Sequence, residues 1–264
     1  MKNSSLLTII FSILVGLKVL GQNNPGPIQP DRPGLGESSQ IVPEKYFQVE
    51  SGMNLEFDKL GDINYRNVSW NNFTLRWGIF NEFELRFAFN LQQDYVFTSL
   101  GRSVSSLGMT PATIGFKARV THQKGVIPST ALLGNLGLPK LGTPELSTSY
   151  VSPSILMPME WEIKERFLIT LNNGLFWNGE DALPEYFSSL GLDVAMANET
   201  GLFVEGYLST TDGKDIAPGL NAGFIWRIKT NFQIDISAGM GLNHNIADGF
   251  VNAGFSWRLP KFQK

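Results

Sequence analysis

From Lys45 onward, long stretches of this chain alternate apolar and polar residues one by one. Phe83, Leu85, Phe87, Phe89 and Leu91 are interleaved with Glu84, Arg86, Ala88, Asn90 and Gln92. Phe232, Ile234, Ile236, Ala238, Met240 and Leu242 are interleaved with Gln233, Asp235, Ser237, Gly239, Gly241 and Asn243. Val251, Ala253, Phe255, Trp257 and Leu259 repeat the pattern with Asn252, Gly254, Ser256 and Arg258. Successive strand side chains point to opposite faces, so each stretch has one apolar and one polar face. No segment shows the 3.6-residue period of a helix of useful length.

Weaker versions of the pattern complete a set of strands at 45–57, 66–79, 82–93, 111–121, 126–138, 150–161, 165–177, 184–196, 198–209, 216–228, 231–242 and 248–259. Each runs to roughly 10–14 residues, against about 5–6 for an average soluble strand and about 9–11 for a tilted membrane-spanning one. The connections predict the same architecture. After even strands they are tight: Phe80–Asn81, His122–Gly125, Glu162–Lys164, Ala197 and Lys229–Thr230. After odd strands they are longer: Asp58–Tyr65, Asp94–Thr110, Pro139–Ser149, Asn178–Leu183, Thr210–Asp215 and Asn243–Ala247. Bacterial outer-membrane barrels have an even strand number, short periplasmic turns and longer external loops. The expected fold is therefore all-β, an antiparallel up-and-down transmembrane barrel of about twelve strands over residues 45–260.

The polar faces carry Glu50, Glu56, Glu84, Arg86, Lys117, Arg119, Glu160, Asp193, Glu205, Arg227, Asp235 and Arg258. Charge is costly on a lipid face, so these side chains are expected to line the lumen. Both signs occur in similar number. They fit a polar pathway and a salt-bridged filling equally well. Leu168, Phe176, Phe203 and Tyr207 are expected inward too, giving a mixed lining suited to small, partly apolar solutes. Trp77, Trp161, Trp226 and Trp257 fall near the ends of even strands, with Trp70 and Trp177 toward the opposite rim. An indole ring serves both media at a bilayer interface, so these six read as two girdles.

Residues 1–21 have a positive start at Lys2 and carry an apolar core from Leu6 to Leu20, interrupted by Ser12, Gly16 and Lys18. Val19 and Gly21 precede a plausible cut before Gln22, which reads as a secretory signal peptide. Residues 22–44 are rich in Pro and Gly and suit neither helix nor regular strand. This leader is expected to be a periplasmic tether or a plug of the barrel.

Composition narrows the function. The 264 residues include no Cys, which excludes disulfides, thiolate metal sites and a lipid anchor through Cys. A net charge of −3 without a basic stretch argues against nucleic acid. After the N-terminus no apolar run is long enough for a membrane helix. His122 and His244 stand alone in predicted connections, without paired ligand spacing or a marked nucleophile. Neither a catalytic residue nor a metal or cofactor is expected.

The chain also resembles a known family. Asp31-Arg32-Pro33-Gly34, Glu37-Ser38, Val42-Pro43 and Phe47-Gln48-Val49-Glu50-Ser51-Gly52 look like the start of Bacteroidetes-type outer-membrane barrels grouped as "putative MetA-pathway of phenol degradation". Leu75-Arg76-Trp77-Gly78 with Phe83-Glu84-Leu85-Arg86, Ile114-Gly115-Phe116-Lys117 and the closing hairpin from Gly219 to Leu259 fit as well. The family's usual Asp after Arg-Pro is Gly34 here, and the chain continues past its last strand into Lys261–Lys264. The resemblance implies a bacterial outer-membrane location and uptake of small aromatic or apolar compounds.

The leading expectation is a passive small-solute channel or transporter embedded in outer-membrane lipid, with the 94–110 and 139–149 loops gating access. Three rivals stand beside it. They are a non-conducting structural or partner-binding barrel, a membrane-embedded lipid hydrolase using His244, and a soluble lipocalin-like barrel. The sequence leaves the solute and the oligomeric state open.

Overall fold

The computed structural model describes residues 25–259 except Leu100 and Asn198, and the side chains of residues 102–105 are also outside the description. The expected signal peptide and residues 260–264 therefore lie outside the described residues.

The strands are β1 (Phe47–Leu60), β2 (Ile63–Phe80), β3 (Phe83–Thr98), β4 (Gly101–Met109), β5 (Ala112–Thr121), β6 (Ser129–Leu138) and β7 (Ser152–Ile163). They continue with β8 (Phe167–Phe176), β9 (Glu185–Ala195), β10 (Thr200–Thr211), β11 (Ala217–Lys229), β12 (Phe232–Gly241) and β13 (Gly249–Arg258). Every pairing is antiparallel and, apart from β1–β13 and β3–β5, joins strands consecutive in the chain. β1 pairs with both β2 and β13, Val49 facing Leu75 on one side and Trp257 on the other, so the sheet closes on itself. A closed barrel has no free sheet edge to expose in lipid.

Among the described residues, thirteen strands make a twelve-position wall. The turn-end half of β3 pairs with β5, from Phe83–Ala118 to Ala88–Thr113. Its other half pairs with β4, from Leu91–Met109 to Thr98–Gly101. β4 and β5 thus share one position in the wall and are parted at Thr110–Pro111. Proline has no amide to give to the ladder, which accounts for the break.

Two expected connections change as a result. The predicted 94–110 loop is strand on both sides of a short turn, because Tyr95 and Phe97 carry the alternation of β3 beyond Gln92. The predicted 58–65 connection shrinks to Gly61–Asp62, with Gly61 at φ 61° supplying the left-handed turn conformation. Short and long connections therefore do not alternate strictly. The β5–β6 connection is also longer than expected, since β6 starts at Ser129, after Pro128, and not at 126. The 139–149 segment forms two 3-10 turns, Pro139–Leu141 and Pro144–Leu146, and ties to the base of β4 through the Thr143 amide and the Met109 carbonyl at 2.9 Å.

Burial is inside out relative to a soluble protein. Leu190, Val204, Ile236, Met240 and Ile155 are half or more exposed. Arg76, Glu84 and Lys117 have no exposed surface, and Glu50, Glu160 and Glu205 are under 5% exposed. The apolar halves of the strands face outward as one belt, and the polar halves converge on the interior. A soluble lipocalin-like barrel needs the reverse arrangement and is overturned by this burial.

A bulge between Ser69 and Asn71 resets the phase of β2. Val68 and Trp70 point outward before it, and Phe73, Leu75 and Trp77 after it. Trp70 is the bulged residue, and because β2 begins at Ile63 it lies in the body of the strand, not at its start, beside Asn71, which faces Leu91 where the β3–β4 ladder begins. Its indole donates to Gln93 Oε1 at 3.0 Å.

Candidate functional site

The barrel interior is organised around the leader. Its start is fastened at the end of the barrel that carries the tight turns. There the Ile28 amide donates to the Thr230 carbonyl at 2.7 Å, and Arg258 reaches the Gly26 and Pro27 carbonyls. Its end returns to the wall through the Lys45 amide to the Gly78 carbonyl at 2.8 Å and the Gly78 amide to the Tyr46 carbonyl at 3.0 Å. Between these points it meets the polar side chains of β1, β2, β3, β5, β6, β7, β8, β10, β12 and β13. Ile28, Ser39 and Val42 are fully or almost fully buried in the process. A Pro/Gly-rich segment leaves backbone amides unpaired, and here wall carboxylates accept them.

One wall is basic. Asp31 of the leader takes three cations on its carboxylate: Arg76 Nη1 at 2.9 Å, Arg86 Nη1 at 2.6 Å and Lys117 Nζ at 2.6 Å. Arg86 also pairs with Glu37 at 3.1 Å, and Lys117 donates to the Ser38 carbonyl at 2.9 Å. Arg76 grips Glu84 through Nε at 2.8 Å and Nη2 at 3.0 Å, and reaches Glu50 at 2.8 Å. Glu84 then accepts the Val42 amide at 2.7 Å, and Glu50 accepts the Asp31 amide at 3.1 Å. Charge-assisted, two-pronged bonds of this kind are the stronger class of hydrogen bond.

The opposite wall is acidic. Glu205 accepts the Leu35 and Gly36 amides, each at 2.8 Å. Asn172 accepts the Glu37 amide at 3.1 Å. Glu160 accepts Gln40 Nε2 at 2.8 Å and the Ser39 hydroxyl, which also bonds Ser129 Oγ at 2.8 Å. Arg32 of the leader pairs with Asp235 at 2.9 Å and donates to Asn252 at 2.7 Å. Its guanidinium lies where a Cβ on Gly52 or Gly254 would sit, so that pair of glycines forms its slot. Gly36 is similarly tight, a Cβ there meeting Asn172, Ser189 and Glu205.

Most of the residues singled out from the sequence meet the leader or the space beside it. Glu50, Glu84, Arg86, Lys117, Glu160, Glu205, Asp235 and Arg258 bond the leader directly, as described. Arg119 bonds Ser39 at 3.3 Å and Gln40 at 3.1 Å, and reaches Glu82 at 3.5 Å. Asp193 and Arg227 do not join these bonds. Both line a cavity of about 740 Å³ at the turn end, between the leader and β7–β11. Arg227 there pairs with Glu199 at 2.8 Å. Phe203 and Tyr207 are inward and buried, each ring lying against a neighbouring-strand glycine, Gly223 and Gly219.

Five of the six tryptophans lie near strand ends, and Trp70 does not. Trp77 stacks on Phe47 with centroids 5.2 Å apart, Trp161 donates to the Val126 carbonyl at 2.9 Å, and Trp177 donates to the Ala182 carbonyl at 3.2 Å. Trp226 is half-exposed and Trp257 faces Val49 near the end of β13.

Sequence reasoning passed over Asp31, Arg32, Asn172, Ser129 and above all Arg76 as site residues. Arg76 carried a usable signal, since Leu75 and Trp77 flank it and must both face outward.

No curated protein sequence matches the chain. Among solved structures it is similar to the COG4313 outer membrane channel from Pseudomonas putida F1, at 12% identity and TM-score 0.62, covering 86% of this chain and 99% of that one. It is similar to the NanC porin at 8% identity and TM-score 0.51, covering 81% and 100%, and to the KdgM porin at 9% and 0.50, covering 80% and 98%. At these identities the likeness is one of fold, that of outer-membrane channels. Residues 30–259, most of leader and barrel alike, match the family described as "Putative MetA-pathway of phenol degradation", and the chain belongs to that family.

Proposed function

We propose that this protein is a passive outer-membrane channel for small solutes whose resting state is closed by its own leader. The turn end faces the periplasm and the loop end the exterior, as in barrels of this class. The observation that carries the reading is the bonding of residues 26–46 to ten strands from inside, through the charges that would otherwise line an open pore. Twelve strands enclose a lumen between the filled interior of eight-stranded barrels and the wide channel of 16-stranded ones. A single extended segment is enough to occupy it.

The Phe203 and Tyr207 rings, together with the family's description, support a solute with an aromatic or apolar part. The interior charges support one that is also polar. Passage needs no nucleotide or metal on this reading, only diffusion once the leader yields.

The test is planar-bilayer conductance of the full chain against a variant lacking residues 25–44, both checked for folding by heat-modifiable gel migration. The expected result is small, rare openings for the full chain and a several-fold larger, steady conductance for the truncated one. Two silent barrels would instead support a structural or partner-binding role.

A further inference from the structure

We propose that Arg76, Arg86 and Lys117 form a carboxylate-binding site of the channel, which Asp31 of the leader occupies as a built-in ligand. The inference rests on the reading of the leader as a closing segment and adds what would compete with it. It follows from charge and from geometry.

Among the described residues three cations, Arg76, Arg86 and Lys117, meet only two wall carboxylates at this place, Glu50 and Glu84. One positive charge is left over, and the leader answers it with Asp31 and Glu37. Withdrawing the leader would leave that cation surplus facing the lumen with Arg119 beside it. A buried charge without a partner is costly, so the open site would favour an incoming anion.

The shape of the site selects which anion. Asp31 is held by both oxygens. Oδ1 takes Lys117 at 2.6 Å and the Ser38 amide at 3.1 Å, while Oδ2 takes Arg86 at 2.6 Å and Arg76 at 2.9 Å. Three hydrogen-bond donors and the Arg76 ion pair arranged around two oxygens match a planar carboxylate. Of these partners, Lys117, Arg86 and Arg76 belong to the wall and stay when the leader leaves. The ligand class is thus a small monocarboxylate, and an aromatic one would also suit the inward Phe203 and Tyr207. Such a solute would act as substrate and as opener, because it takes the place that holds the leader down.

The test is chemical rescue in the full chain. Asp31→Ala removes the carboxylate and leaves room for one. Its conductance should rise several-fold over wild type, and millimolar acetate, small enough to fill the place the Asp31 carboxylate leaves under a leader still held by its other bonds, should bring it back down, while acetamide should not. Asp31→Asn fills the same space without the charge, so it should open and resist acetate. In the wild type, benzoate should raise conductance at least three-fold at saturation, and benzamide should leave it unchanged. Calorimetry on Asp31→Ala should show acetate binding at least ten-fold tighter than to wild type.

Asp31→Ala open, with acetate neither bound nor effective, overturns the carboxylate site and leaves the closing leader standing. Folded Asp31→Ala, Asp31→Asn and leader-deleted barrels that all conduct like wild type overturn both. Should Asp31→Ala fail to fold, the wild-type comparison decides alone: equal effects of benzoate and benzamide refute the site.

Discussion

The Arg76 guanidinium, wholly buried on β2, holds Asp31 of the leader at 2.9 Å while gripping Glu84 of β3 at 2.8 Å with its Nε. One side chain therefore ties the leader to the wall and two wall strands to each other. Breaking a buried pair by removing one partner costs about 3–5 kcal/mol, since the other charge is left without compensation. Arg76→Met should lower barrel stability by an amount of that order, seen as a reduced urea midpoint in lipid vesicles. Combining it with Glu84→Gln should recover part of the loss, because the orphaned carboxylate is then gone.

Gly78 is the hinge of the leader's return to the wall. A Cβ there would run into the Val42 and Pro43 carbonyls, while the Gly78 backbone pairs with Lys45 and Tyr46. Gly78→Val should lift the end of the leader and raise conductance several-fold. Thermal stability of the barrel itself should fall by less than with Arg76→Met. Protease sensitivity of the leader, read by mass spectrometry, would report the release independently.

The outward belt makes a prediction about lipid. Leu190, in the middle of β9, is 59% exposed. An arginine near the midplane of a lipid-facing strand costs about 2–4 kcal/mol. Leu190→Arg should reduce folding stability in vesicles by that order, while Leu190→Phe should be close to neutral. Equal tolerance of both in reversible unfolding would mean that this face does not meet hydrocarbon.

Much of the wall was legible because a barrel strand writes its two environments into alternate residues. Phe83 to Leu91 and Phe232 to Met240 needed no other information. Legibility failed where local chemistry changed the phase or the length. The bulge at Ser69–Asn71 switched the outward set of β2 and hid where Trp70 lies in that strand. Pro111 split one wall position into β4 and β5, so a strand was read as a loop.

The site was legible only in halves. Glu84, Arg86 and Lys117 announced themselves by lying on polar faces between apolar neighbours. The leader could not announce its route, since a Pro/Gly-rich segment has no period and takes its shape from what receives it. Its partners are scattered from Glu50 to Arg258, and only closure of the barrel brings them to one place. The surplus of cations on β2, β3 and β5, and of carboxylates on β7, β10 and β12, is the trace of the leader in the wall.

The leader lies across the interior when the barrel is folded. Ser39 Oγ and Ser129 Oγ are 2.8 Å apart, close enough for a disulfide between cysteines at the two positions. The chain has no Cys of its own to interfere. Ser39→Cys with Ser129→Cys, oxidised after insertion into vesicles, should cross-link nearly completely and hold conductance at its floor until reduced. Two cysteines that stay free and react with a water-soluble maleimide in the folded barrel would contradict this placement of the leader.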